Sequence, residues 1–500
     1  MNFGSSLQLF ALELDILQGI VNFLHDALPS FRTIEDPDGA YRLELDPPQV
    51  ETRDDGDFRM GIHLTGQLFL GDEPNAFLFD TWVRLRPEVG ENESGVKVGV
   101  LVFDSVEEVI PPLAGTAVSD AFGPDGPLGS ALSSLALEIF SDLTTSVHNQ
   151  LFPAGTPFDI NAFSLAFYLG RPASMDRPTY GIIREGDHYV PDLQFDFSEL
   201  TKPALVASVA LAGEEAIPPE AFSIIRPGTG LGLVTTARLF ELRFARESAS
   251  LPGTVMQGLT IDHFNAVATD YGFDIDGAGH KTGADVSFSG SLIAQFRGGV
   301  GGQFVMRSTI ETDVDSAWWV DLLSVVAAII PGIGWILGDI FIWDPIREAP
   351  AQVENALLGR FLDPIAQAAQ KLADNFSIDI IPTQAFLADV WFFDGNMGVA
   401  ATAFAGRQTA GISSVSRDVA FLAKNPSTTG RHTNRRRQVE SVFEITLSTG
   451  YRLKPWQAGQ LVEDRLLTIP GHHAVESPLV KGGVYLRSNP DENTSNNLLD

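Results

Sequence analysis

The chain has 500 residues with 64 acidic and 33 basic side chains, a formal net charge of −31, and no cysteine. A field this negative excludes a general nucleic-acid binder, which needs clustered Lys and Arg to release counterions, and the missing thiols exclude disulfides, thiolate metal sites and a cysteine nucleophile together. The 44% hydrophobic content and 34 Phe exclude global disorder, so a large core or an apolar cavity has to absorb the rings.

Met1 to Ser6 carry no Lys or Arg. A secretory signal peptide is therefore not expected, and the expectation is a soluble protein, cytoplasmic by default or exported by a non-classical route. Leu7, Phe10, Leu14, Leu17, Val21, Leu24 and Leu28 recur at alternating spacings of three and four. That spacing predicts one helix ending near Pro29. Strand-type runs follow at Tyr41 to Leu45, Phe58 to Leu70, Ala76 to Leu85 and Val96 to Phe103, punctuated by Asp36-Pro37-Asp38-Gly39 and Asp54-Asp55-Gly56-Asp57. They predict an antiparallel sheet. Helical spacing returns at Leu132, Leu135, Ile139, Leu143, Val147 and Leu151, and Phe158 to Leu169 reads as a further strand.

The second half repeats that order. Leu231 to Arg246 reads as a helix, with a strand open as the alternative because of its Thr and Phe content. Strands are predicted at Leu259 to Phe264, Ala284 to Phe296 and Gly302 to Thr309, a second helical stripe at Val353, Leu357, Phe361, Ile365 and Leu372, and a closing pair at Ser377 to Ile381 and Gln384 to Phe393. Two local matches in the same order suggest a duplication: Leu9-Phe10-Ala11-Leu12 beside Leu239-Phe240-Glu241-Leu242, and Leu64-Thr65-Gly66-Gln67-Leu68 beside Phe288-Ser289-Gly290-Ser291-Leu292. Three parts are expected, residues 1–225, 226–410 and 411–500. The last carries a net +2, leaving −33 on residues 1–410, and so reads as a separate small α+β or β module.

A helix laid along a curved antiparallel sheet, occurring twice over residues 5–405 with excess Phe and no catalytic signature, resembles the tubular lipid-binding superfamily that includes bactericidal/permeability-increasing protein. The strand run Asp285 to Phe296, the Trp318-Trp319 segment and the long helix after it are most similar to clostridial accessory proteins encoded beside neurotoxins. The resemblance implies an α+β fold of two sheets, each wrapped around a long helix in an elongated tube, and a bacterial protein that shelters a lipid or assembles with a toxin-like partner. Trp456, the ending Val484 to Asp491 and Asn496-Asn497-Leu498 resemble a small bacterial domain of uncharacterised function, which supplies no chemistry.

Candidate site residues follow from these patterns. Four of the seven Trp fall within residues 318–343, in a hydrophobic segment, 317–345, broken by Pro331-Gly332. Its apolar run is shorter than the ~20 residues of a spanning helix. Trp318, Trp319, Leu322, Val326, Ile330, Trp335, Ile336 and Phe341 either form a lipid-contacting helical hairpin, touching a membrane surface or gating a tunnel, or plug the sheet as buried core. Leu14, Leu17, Val21, Leu357 and Phe361 either line an apolar ligand cavity or pack as core. Arg431, Arg435, Arg436 and Arg437 offer an anion or partner contact, whether a lipid surface, an acidic face of the same protein or a second copy.

Other patterns fall short of chemistry. Asp274-Ile275-Asp276-Gly277 lacks the third acidic position and the twelfth-position Glu of a calcium loop, and reads as a turn. Gly277-Ala278-Gly279-His280-Lys281-Thr282 puts His where a phosphate loop needs Gly, and Gly228-Thr229-Gly230-Leu231-Gly232 misses the dinucleotide spacing. His472-His473 with Glu476 lacks helical ligand spacing, and no Gly-x-Ser-x-Gly elbow occurs. No metal, cofactor or enzymatic activity is expected. The expectation is non-enzymatic binding of a lipid or other hydrophobic ligand, with a filled-core interaction or assembly component as the alternative.

Overall fold

The structure, a computed structural model, describes residues 3–36, 38–54, 58–71, 75–91, 97–107, 118–119, 143–153, 155–170, 179–185, 188–195, 204–214, 216, 228–256, 259–281, 284–297, 303–308, 311–312, 370, 381–421, 438–476 and 484–488. They belong to two compact units, Met1–Gly406 and Arg407–Asp500. The described residues are sheet-rich with few helices, in line with an α+β class. Among the described residues no helix is long and apolar enough to cross a membrane.

The first unit opens with β1 (Gln8–Glu13) and α1 (Leu14–Ala27), then lays down β2 (Thr33–Glu35), β3 (Tyr41–Leu45), β4 (Gln49–Asp54), β5 (Phe58–Leu70), β6 (Phe77–Glu91) and β7 (Lys97–Val106). β2 to β7 make one antiparallel sheet of order β2-β3-β5-β6-β7, with β4 paired to β5 beyond β3. A helical segment, 143–151, precedes β8 (Phe163–Gly170), the hairpin β9 (Thr179–Glu185) and β10 (His188–Phe195), and β11 (Ala204–Leu211). Strand, helix and meander then come again as β12 (Leu231–Thr235), α2 (Ala237–Ser250), β13 (Val255–Met256), β14 (Leu259–Thr269), β15 (Gly272–Lys281), β16 (Ala284–Arg297), β17 (Gln303–Ser308) and β18 (Glu311–Thr312). This second sheet runs β13-β14-β15-β16-β17, with β18 on β16. β19 (Thr383–Phe393) and β20 (Asn396–Ala405) complete the described part.

A third sheet, ordered β19-β20-β12-β1-β11-β8, joins the two halves through the antiparallel pair β1 and β12. Its central strands are buried on both faces. Phe10 and Leu12 of β1 enter the main apolar cluster with α1 and α2, while Leu9 and Ala11 enter a second cluster with Val206, Val234 and Trp391 on the other side. α1 lies close against this sheet: a Cβ on Gly406, which has φ +67, would sit 2.0 Å from the Gly19 carbonyl oxygen. Only glycine meets both demands, the left-handed backbone and the close approach.

Three sequence expectations are corrected here. The predicted helix from Leu7 to Leu28 is β1 followed by α1, and the one from Leu231 to Arg246 is β12 followed by α2. Strands buried on both faces lose their alternation and become continuous apolar runs, which a helical stripe mimics over six residues. The paired tetrapeptides Leu9 to Leu12 and Leu239 to Leu242 therefore lie in a strand and a helix respectively. The Asp274 to Gly279 turn is the body of β15, where Phe273 and Ile275 are buried while Asp276 is exposed and Asp274 half-buried. The helix predicted from Val353 to Leu372 lies outside the described residues apart from Gln370.

In the second unit β21 (Gln408–Thr409) pairs in parallel with β25 (Leu467–Thr468), while β22 (Ile412–Phe421), β23 (Gln438–Leu447) and β24 (Arg452–Leu453) form an antiparallel sheet. α3 (Pro455–Glu463) starts with Pro at its first turn, and Gln457 Oε1 accepts from the Lys454 backbone N–H at 2.7 Å. β26 (His472–Glu476) and β27 (Val484–Ser488) make the last hairpin.

Candidate functional site

α2 is fastened along one flank and at its start. Its first backbone N–H groups are taken by side chains: Ala237 N donates to Asn396 Oδ1 at 2.9 Å and Leu239 N to Thr236 Oγ1 at 3.4 Å. Phe240 and Phe244 pack edge-on against Phe273 of β15, with ring centroids 5.1 and 5.8 Å apart, and Phe273 meets Phe392 of β19 the same way at 5.5 Å. Arg243 and Arg246 both donate through Nη1 to the Gln150 carbonyl, at 2.7 and 3.3 Å, where the helical segment 143–151 ends and its carbonyls lack intrahelical partners.

Part of the face that α2 turns toward β14 is uncovered. Ala237, Glu241, Phe244, Ala245 and Ser248 recur on one helical face and look across a cleft of about 370 Å³ at Asn265, Ala266, Val267 and Ala268 of β14. The walls are mostly small and apolar, so a chain or ligand can come close to the backbone. Val267 is 53% exposed and Glu241 is exposed at the rim. Among the described residues one charged side chain lines the cleft, the Glu241 carboxylate.

The outer face of the same sheet is polar. Asn265 Nδ2 donates to Asp276 Oδ1 at 2.9 Å, and His280 Nδ1 lies 3.0 Å from Asp262. Tyr271 Oη donates to Asp274, whose Oδ1 also accepts from Ser291 Oγ at 2.6 Å. Burial pushes the Tyr271 phenol above its ordinary 10.0, and the hydrogen bond to and charge of Asp274 add to the shift. No three of these groups are arranged to hold a metal ion among the described residues.

The sequence-predicted residues divide sharply. Leu14, Leu17 and Val21 lie on the inner face of α1, at most 4% exposed, within one apolar cluster that also holds Met60 and Ile62 of β5, Phe240 and Phe244 of α2 and Phe273 of β15. Trp318, Trp319, Leu322, Val326, Ile330, Trp335, Ile336, Phe341, Leu357 and Phe361 lie outside the described residues, as do Arg431, Arg435, Arg436 and Arg437. The α2–β14 cleft went unmarked in the sequence. Its one signal was the run of small residues and Glu241 at spacings of three and four on α2, which periodicity alone assigns to a solvated face.

No family model and no curated protein matches the chain. Among solved structures it is similar to P47 of Clostridium botulinum E1, at 10% identity and a TM-score of 0.30 over 80% of this chain and 100% of that one. P47 from Clostridium botulinum A2 matches at 9% identity and 0.30, over 80% and 98%. A lipopolysaccharide binding protein matches at 10% identity and 0.17, over 80% and 99%. The sequence resemblance points to clostridial proteins, and two of these three matches are clostridial.

Proposed function

We propose that this chain is a non-enzymatic binding protein, internally duplicated, that shelters a lipid or fatty acyl chain in the apolar interior of its first unit. The observation that carries the reading is the single apolar cluster shared by α1, α2, both meander sheets and the joining sheet. Two helix-on-sheet halves facing one continuous apolar interior offer an acyl chain an environment worth about 0.8 kcal/mol for each methylene taken out of water. The hydrophobic segment 317–345 supplies the entrance in this proposal, and Arg431 to Arg437 an anion or partner contact.

Native mass spectrometry of the purified chain, followed by organic extraction, tests it. A stoichiometric lipid or fatty acid is the expected result. A clean polypeptide mass that stays unchanged after incubation with mixed lipids would sink the proposal and leave the filled-core interaction component.

A further inference from the structure

The hairpin of β5 and β6 runs past the end of its own core. On its inner face Leu68 and Phe79 are buried, at 0% and 5% exposure. Phe77 stands opposite Leu68, one strand repeat beyond Phe79, and is 45% exposed. Leu78 stands opposite Gln67 on the outer face and is 80% exposed, the highest value for a large apolar side chain among the described residues. Nearby outer-face groups are covered or charged: Phe69 lies under the Arg42 guanidinium, 4.4 Å from its ring centroid, and Arg42 pairs with Glu44 at 3.2 Å.

Single exposed apolar residues are ordinary on a protein surface, and Phe158, Val255, Val267 and Val415 are of that kind. Phe77 and Leu78 differ because they are consecutive. Successive side chains of a strand point to opposite faces, so this end of the hairpin is apolar on both. A partner protein laid against either face covers one of the two and leaves the other in water. End-on entry into a fluid apolar phase covers both at once. A second copy of the chain would also bring its own charge of −31 to the contact.

We infer that this end of the hairpin is a docking tip for a lipid–water interface with zwitterionic headgroups, into which Phe77 and Leu78 enter together. Entry is shallow, because the backbone linking the two strands carries polar groups that must stay among the headgroups. The headgroup class follows from charge. Asp72 and Glu73 lie between the strands in sequence and the chain carries −31, so an anionic surface repels it. A single myristoyl chain binds membranes with an association constant of about 10⁴ M⁻¹, and two partly exposed side chains bring less apolar area, so half-binding is expected at roughly millimolar lipid. The contact is therefore brief, suited to visiting a surface rather than residing on it. It goes beyond the lipid reading and does not need it: a chain whose interior holds nothing docks the same way.

Co-sedimentation of the full chain with sucrose-loaded vesicles of dioleoylphosphatidylcholine tests it. The chain has no cysteine, so an environment-sensitive dye on Ala76→Cys reports from beside the tip alone. The parent is expected to reach half-binding between about 0.5 and 5 mM lipid, with the dye emission shifting to the blue. Phe77→Ser with Leu78→Ser should weaken binding at least tenfold, while Phe77→Ile with Leu78→Ile should bind like the parent. Both positions are exposed, so the fold is kept, as circular dichroism would verify. Exchanging a third of the lipid for dioleoylphosphatidylglycerol should weaken binding at low salt. The inference is overturned by no binding up to about 10 mM lipid, by a double serine variant that binds like the parent, or by tighter binding to the anionic vesicles. Vesicle binding lost in the serine variant, with the lipid extracted from the purified chain unchanged, separates the tip from the interior. A dimer in sedimentation velocity that the serine variant dissolves, without vesicle binding, would assign the pair to a second copy instead.

Discussion

Replacing Gly398 with Ala puts a methyl group where an indole already lies. Gly398 of β20 stands directly opposite Trp391 of β19, and the added Cβ would fall 1.8 Å from Trp391 Cε2 and 2.0 Å from Cζ2. Ordinary contacts begin near 3.4 Å, so the ring has to move by well over an ångström. Trp391 is only 2% exposed and packed with Leu9, Ala11 and Val234, so there is nowhere near for it to go. Overpacking of a core costs about 1–3 kcal/mol, and a rigid ring belongs at the upper end. Gly398 does not lie at a left-handed φ, so alanine regains roughly 0.4–1 kcal/mol from the stiffer unfolded chain. The expected net loss is about 2 kcal/mol, read as a lowered urea midpoint for the first unit by far-ultraviolet circular dichroism. The partner variant Trp391→Leu makes room, so the double variant should cost at least about 1 kcal/mol less than the two losses added. A loss under about 0.5 kcal/mol for Gly398→Ala, or strict additivity in the double variant, would refute the packing described here.

Gln18→Ala should destabilise the first unit by about 1–2 kcal/mol, since it removes the bonds to Pro48 and Val50 together, and exchange at the Val50 amide should rise in hydrogen–deuterium mass spectrometry. Exchange there that is unchanged would mean the helix does not hold β4. Arg243→Ala should cost about 1–2 kcal/mol in thermal or urea unfolding, and Arg243→Ala with Arg246→Ala more than the two separately, because each arginine covers the Gln150 carbonyl when the other is gone. A neutral double variant would contradict this. Tyr271 has its phenol raised by burial and by Asp274, so the neutral form is the one the fold favours, and the stability it contributes is intact below its ordinary 10.0 and lost as pH rises through the higher folded value. Melting temperatures from about pH 9 upward should therefore fall more steeply for the parent than for Tyr271→Phe above about pH 10, and parallel curves would refute the assignment.

What could be read in the sequence depended on whether a strand has a wet face. β5 was legible to the residue, Phe58 to Leu70, because Met60, Ile62, Leu64 and Leu68 face inward between polar neighbours. β3 was recovered for the same reason, and β16 and β19 to within a residue, β19 as a continuous apolar run. β1, β12 and β20 were not, because a sheet covered on both sides has no polar alternation to display. β15 was hidden differently: Gly277 and Gly279 made a strand look like a loop, although Phe273 and Ile275 kept the strand period. Of the candidate ligand-lining set, Leu14, Leu17 and Val21 were correctly placed on one helical face, but periodicity cannot tell a face that lines a cavity from one that fills a core. The α2–β14 cleft was invisible, because a gap between a helix and a strand is a property of which elements meet.

The order of the joining sheet governs how the protein can be made. β1 is synthesised well before either of its neighbours: β11 and β12 begin at Ala204 and Leu231, and β12 waits in turn for β20, which ends at Ala405. At synthesis rates of roughly 5–20 residues per second, an apolar segment meant for the centre of a sheet spends about 10–40 s without either partner. The first half cannot finish alone, because the strand that flanks β1 on one side belongs to the second. Nascent chains therefore carry an unshielded Leu9-Phe10-Ala11-Leu12 until the second half has begun to emerge, an aggregation hazard built into the order of the sheet.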